Sequence, residues 1–368
     1  MGDLADLHRT SLYQEHLRLG ARIIDFAGWA LPVQFTSIIK EHLWTRESVS
    51  IFDVGHMGEI FVRGQRSSQF LDRMLTNSIA SLSVGQCRYT LMLNDKGGII
   101  DDLIVYRLGE EEFMLVVNAG RKDIDFNWLK GHLWEDLQIE DRTFSIAKID
   151  LQGPKALEVL NELLDRDFSF LGYFRFVPAK LDIYDVFISR TGYTGELGYE
   201  FYIDWEKGPY LWNRLLEFDL VKPAGLGARD TLRLEVGYPL YGHDIDEDTT
   251  PIEANLERFV DWDKDFVGKE ALLEKKNGDV AYHLVGLKGE SRRPFRQGDR
   301  VLSSSGDEIG WVTSGTYSPS LDRAIGLAYV KIETKLGDRV EVEGDRGRIT
   351  AEVFSYPFYR EGTVRMRF

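Results

Sequence analysis

"FVRGQRSSQFLDRML" (Phe61–Leu75) and "DLQGPKALEVLNELL" (Asp150–Leu164) follow one plan, in which a short apolar strand runs through a glycine turn into an amphipathic helix. Each continues through a strand, a Gly-rich turn, a second strand carrying an acid, and another helix. The first copy reads "YTLMLNDKGGIIDDLIVY" (Tyr89–Tyr106) then "RKDIDFNWLKGHLW" (Arg121–Trp134); the second reads "YDVFISRTGYTGELGYEFYI" (Tyr184–Ile203) then "PYLWNRLLEF" (Pro209–Phe218). That order of elements predicts a pair of split βαβ units in an α+β architecture. Alternation of this kind extends to about residue 275. From Ala281 the texture changes to short alternating runs such as "AYHLVGL" and "AIGLAYV", which predict a small β-barrel or sandwich, with "KEALLEKKNGD" (Lys269–Asp279) as the link. The predicted division is therefore 1–275 and 281–368.

"GGIIDDLIVY" (Gly97–Tyr106) puts two carboxylates inside an otherwise apolar strand. Alternation places Asp101 on one face with Ile99, Leu103 and Val105, and Asp102 on the other with Ile100, Ile104 and Tyr106. Whichever face is buried, one acid is buried with it, and it must be paired, hydrogen-bonded or protonated. "EEFMLVVNAG" pairs with this strand as a hairpin turning at Leu108-Gly109-Glu110, which brings Asn118 opposite the acids.

Composition narrows the function. The 368 residues are 43% hydrophobic and suit two or three folded domains. Lys and Arg total 45 against 60 Asp and Glu, and the net charge of -15 disfavours nucleic acid and anionic membranes as partners, so an anionic ligand needs a local basic site. The start, "MGDLADLHRTSLYQEH", has neither the charge pattern nor the apolar run of a signal peptide. Cys87 is the only cysteine, which excludes an internal disulfide or a cysteine zinc cluster and fits a reducing cytoplasm.

Several motifs fail on inspection. "DIDED" (Asp244–Asp248) has calcium-loop carboxylates, but Thr249 stands where that loop needs Gly and Asn255 where it needs Glu. The seven His lack any paired spacing, so no metal is indicated. The glycines of "RTGYTGELGYE" lack the lysine of a phosphate loop and read as a hairpin turn. No GxSxG elbow occurs.

The blocks "HRTSLYQEH", "GARIIDFAGWALPVQF", "FDVGHMGEI", "GGIIDDLIVY", "SRTGYTGELGYE", "PAGLGARDTLRLE", "TTPIEANL", "KDFVGKEAL" and "TSGTYSPSL" stand in the order seen in the T-protein family of the glycine cleavage system. The chain resembles that family of tetrahydrofolate-dependent aminomethyltransferases from about His8 to Tyr359. The resemblance implies transfer of the one-carbon unit from the aminomethyl-dihydrolipoyl arm of the H-protein to tetrahydrofolate, giving 5,10-methylenetetrahydrofolate and ammonia. It also implies two related α+β folate-binding subdomains and a C-terminal β-barrel, arranged as a cloverleaf around a central channel. The expected partner is the lipoylated H-protein, and the expected state is a monomer or weak dimer.

Carried over by motif, Asp102 matches the family's acid near the reactive nitrogens of folate, with Asp101 as a structural neighbour. A fixed carboxylate suits a reaction that builds iminium-like charge and moves protons between amines. Met57, Tyr89, Tyr106, Asn118, Tyr193, Glu200, Arg229 and Tyr238 match folate-lining positions. Glu200 can accept from the pterin's N–H groups, Arg229 can anchor the ligand's glutamate carboxylate, and the tyrosines offer ring faces and hydroxyls. Gly55 stands where the family commonly has Ser, and "NAGRKD" departs from the commoner "NAAN". The alternative is a folate-binding iron–sulfur assembly factor of the same superfamily, but its signature cysteine has no counterpart near "KDFVGKEAL". The basic loop "GESRRPFRQGDR", with Arg292, Arg293 and Arg296 around Phe295, is a candidate docking surface offering charge and one apolar anchor.

Overall fold

The computed structural model describes residues 6–345 and 347–368. Two antiparallel-rich sheets carry the repeat. In the first, the strands lie in the order Cys87–Leu93, Ile99–Gly109, Glu112–Val117, Gly58–Arg63, Gln138–Asp141. In the second, the order is Phe176–Leu181, Tyr184–Ser189, Gly198–Asp204, Ile146–Gln152, Val49–Asp53, Val221–Pro223, with only the last pair parallel.

The repeat is real, but its alignment shifts by one strand. Each copy has three strands between its helices, and by place in the sheet Ile99–Gly109 corresponds to Tyr184–Ser189 rather than to the strand bearing Glu200. Two Gly-rich loops had suggested the wrong match: "NDKGG" joins the first and second strands of one copy, and "RTGYTGEL" the second and third of the other. Phe176–Leu181 carries a weak strand pattern, because Lys180 is exposed and Pro178 lies inside it.

Helices cover the outer faces. Phe70, Leu71 and Met74 of helix Ser67–Met74 and Leu129 of helix Lys122–Gly131 pack on Leu103, Val105, Phe113 and Leu115 of the first sheet. Val159 and Leu160, with Leu211, Trp212 and Leu215, do the same for the second. Each such side chain contributes ~1.5–3 kcal/mol by leaving water. The inner faces meet through Phe61, Cys87, Tyr106, Met114, Phe176 and Tyr202, so Asp102, on the face of Tyr106, and Glu200, on that of Tyr202, border one shared layer.

From Tyr282 onward, the strands close into a six-stranded barrel. The α+β architecture with a terminal barrel is thus as expected. The stretch read as a link is instead the helix Lys269–Asn277, which buries Leu272 against Leu91 and Ile99. Gly98 explains the double glycine: a Cβ there would stand 1.8 Å from the carbonyl oxygen of Glu247. The chain thereby docks residues 246–249 onto the acid-bearing strand, through hydrogen bonds from the Ile99 N–H to the Asp246 and Thr249 carbonyls.

Candidate functional site

Asp101 is the acid that goes inside, and Asp102 is half-buried on the opposite face. A β-bulge opposite Met92 and Leu93 reverses the expected places of the two isoleucines: Ile100 joins Leu103 and Val105, while Ile99 packs with Leu91 and Leu93. Asn118, just past strand Glu112–Val117, ties the acids together. Its backbone N–H donates to Asp101 Oδ2 at 2.9 Å, and its amide donates to Asp101 Oδ1 at 2.8 Å and Asp102 Oδ1 at 2.9 Å. The Tyr89 hydroxyl donates to Asp102 Oδ2 at 2.9 Å. Burial, with the Asp101 charge beside it, pushes the Asp102 carboxyl up to about 7. Near neutral pH this group can therefore accept a proton and return it.

Glu200 anchors the other end. The hydroxyls of Tyr106 and Tyr202 donate to its Oε2 at 3.2 and 3.0 Å, and Lys148 Nζ stands 3.3 Å from the same oxygen. Burial alone would raise this carboxyl, but the Lys148 and Arg229 charges outweigh it and hold it below its usual range. Glu200 is an anion facing the layer between the sheets.

The remaining expected residues border this ground in different ways. Tyr193 and Tyr238 stack at 5.7 Å, and the Arg229 guanidinium lies 5.0 Å over the Tyr193 ring. The half-buried Met57 accepts a contact from Lys148 Nζ through Sδ at 3.5 Å. Tyr106 is fully buried, ringed by Phe176, Phe187 and Tyr202, so it offers control of Glu200 rather than a ring face. Arg229 does not present a free charge for a ligand carboxylate. Its Nη1 bonds Asp150 Oδ2 at 2.7 Å, and that acid is fully buried.

Lys148, Asp150, Tyr202 and Asp125 escaped the sequence reading. A signal existed for the first two: in "IAKIDLQ" (Ile146–Gln152) the polar residues alternate, which marks one polar strand face. The basic loop lacks its expected apolar anchor, because Phe295 is fully buried in the barrel core, while Arg292 pairs with Asp322 and Arg293 donates to the carbonyls of Gly347 and Arg348. Of the two departures noted in the sequence, Gly55 donates its N–H to Asp53 Oδ1 at 3.0 Å. Arg121 donates to the Ile100 carbonyl at 2.9 Å, lies over the Tyr241 ring and pairs with Glu247, tying the acid-bearing strand to the segment around residue 247. Among the described residues no helix is long and apolar enough to cross a membrane.

Comparison with known proteins agrees with this fold. Residues 12–264 match the family described as GCVT N-terminal domain, and residues 283–360 match the glycine cleavage T-protein C-terminal barrel domain. An aminomethyltransferase of Thermotoga neapolitana is 44% identical over 98% of this chain and 99% of its own length. One from Halothermothrix orenii is 44% identical over 96% and 100%. The crystal structure of the glycine cleavage system aminomethyltransferase T from Bartonella henselae superposes with a TM-score of 0.92 at 37% identity, covering 97% of this chain and 99% of that one. With both halves matched in order and full-length relatives at this identity, the chain belongs to the glycine cleavage T-protein family of aminomethyltransferases.

Proposed function

We propose that this aminomethyltransferase moves the one-carbon unit of aminomethyl-dihydrolipoyl H-protein to tetrahydrofolate, yielding 5,10-methylenetetrahydrofolate and ammonia. In this reading residues 1–275 hold the folate and 281–368 form a separate barrel domain, and the protein works in the cytoplasm as a monomer or weak dimer.

One observation carries it: Asp102 is fixed by Tyr89 and Asn118 at the border of the layer that also holds Glu200, where burial and the Asp101 charge push its carboxyl up to about 7. The residues suit tetrahydrofolate as cosubstrate. Glu200 is an anion that can accept from a pterin's amino and ring N–H groups, and the half-buried Tyr193 and Tyr238 supply stacked aromatic surface. Asp102 then stabilises the cationic carbon as its bond to sulfur breaks. It takes a proton from the first folate nitrogen to attack and returns it to the departing amine, and closure by the second nitrogen releases the proton that turns the dihydrolipoyl thiolate into the thiol, so thiol, ammonia and the methylene product balance. Arg229 keeps Asp150 neutralised and stiffens Tyr193 rather than gripping the ligand's tail.

The deciding assay follows ammonia release from aminomethyl-loaded H-protein with and without tetrahydrofolate. Release that depends on folate supports the proposal, whereas equal release without it, or none at all, refutes it.

A further inference from the structure

Asp125 lies in the first turns of helix Lys122–Gly131, four residues before Leu129 on the face turned to the first sheet, and it is fully buried. Neither of its carboxyl oxygens meets an N–H or O–H donor among the described residues. The neighbouring donors are committed elsewhere: Asn118 to Asp101 and Asp102, Tyr89 to Asp102, and Arg121 to the Ile100 carbonyl and Glu247. What does lie within hydrogen-bonding reach of Asp125 is the carboxyl of Asp101.

We propose that Asp125 is a positioning residue for Asp102: it stays protonated and donates to Asp101, which keeps the Asp101 charge beside Asp102. The inference rests on Asp102 being the reacting carboxylate.

Two facing carboxyls without a donor between them are stable only if one supplies the proton. The helix N-terminus favours an ionised Asp125 only weakly, far less than the cost of an unsolvated, unpaired carboxylate. The proton therefore stays. Asp101 is already the better anion, because it accepts from the Asn118 backbone and amide, and one more donor from Asp125 completes its shell. An anionic Asp101 adjoining Asp102 makes Asp102 a stronger base than burial alone would. The groups facing the three acids from other elements are Tyr89, Asn118 and Arg121, the phenol of Tyr193 beyond Asp102, and that of Tyr241 beyond Asp101. Arg121 is the one cation among them. It is shared with Glu247, so it cannot neutralise all three acids. Burial, joined by the Asp101 charge, pushes Asp125 up to about 11, in keeping with the geometry.

The test pairs Asp125→Asn, which keeps a donor toward Asp101, with Asp125→Leu, which removes it. Infrared spectra of the free protein above neutral pH should show one protonated-carboxyl C=O band fewer in Asp125→Asn than in the unmodified protein; superimposable spectra overturn the proposal. In the ammonia-release assay, Asp125→Asn should keep the pH profile of kcat/KM. In Asp125→Leu the proton passes to Asp101, Asp102 loses its charged neighbour, and the acid limb should move down by about 1 pH unit. An unmoved limb in folded Asp125→Leu, with Asp102→Asn inactive, sinks the role of Asp125 alone. Full activity in Asp102→Asn instead removes the reading beneath it, and the infrared result still reports on Asp125 if Asp125→Leu does not fold.

Discussion

Tyr106 and Glu200 come from different sheets, yet the Tyr106 hydroxyl donates to Glu200 Oε2 at 3.2 Å and both side chains are buried. The Tyr202 hydroxyl also donates to Glu200 at 3.0 Å and stands 2.9 Å from that of Tyr106, so a phenol pair and Lys148 fix where this anion points. The anion at the floor of the site is thus set by the contact between the two repeats.

Tyr106→Phe keeps the ring and deletes one donor to Glu200. Loss of a hydrogen bond to a charged group should cost about 1.5–3 kcal/mol. It should weaken tetrahydrofolate binding by roughly ten- to a hundredfold with little change in kcat. Titration calorimetry beside steady-state rates checks this, and a fall in kcat at unchanged affinity would contradict it.

Arg229→Ala leaves Asp150 buried without its partner, and breaking such a pair costs about 3–5 kcal/mol. Thermal stability should drop, and folates with and without a glutamate tail should weaken alike. A loss confined to tailed ligands would restore the anchoring role expected from the sequence.

The joint between helix Leu226–Glu235 and the barrel should be acid-sensitive. Burial opposes ionisation of Glu235, but His42 at 3.2 Å and Arg46 at 2.8 Å hold its carboxyl down to about 2. A carboxyl depressed from 4.5 stabilises the fold fully above about pH 4.5 and loses that contribution as pH falls through about 2. His42 is lowered from 6.5, first by burial, so protonating it in the unfolded chain works in the same direction below that pH. Glu235→Gln should therefore be less stable than the unmodified protein at neutral pH, with a gap that narrows on acidification. Melting curves across that range decide it.

The two repeats, the barrel and the acid-bearing strand were legible because alternation, glycine turns and helix periodicity are local signals. The one-strand shift was not, since a Gly-rich loop joins different strand pairs in the two copies. Nor was the bulge that exchanges Ile99 and Ile100, which depends on the partner strand. Nor was the partner of Arg229, because Asp150, which pairs with it, is distant in sequence. Asp125 resembles an ordinary helix-start acid, and only the packed fold shows that nothing among the described residues donates to it. Phe295 sat among arginines in the chain, but the barrel takes it inside.

Asp102→Asn should separate chemistry from stability. With no proton to accept or return, ammonia release should slow by roughly 10²- to 10⁴-fold while folate still binds. The fold, meanwhile, should gain. A carboxyl raised from 3.8 to about 7 contributes stability below about pH 3.8 that is lost as pH rises through 7, because the folded state binds the extra proton. Above that pH the native protein carries a half-buried anion against Asp101, and asparagine removes that repulsion while its amide can still meet Tyr89 and Asn118. The variant should melt higher above neutral pH, by about 2 kcal/mol or on the order of 5 °C. The advantage should fade toward pH 4, where Asp102 is protonated in the unmodified protein. A variant that is slow but no more stable at alkaline pH would mean that Asp102 is solvated enough to ionise without cost, and that its rate effect comes from charge placement alone.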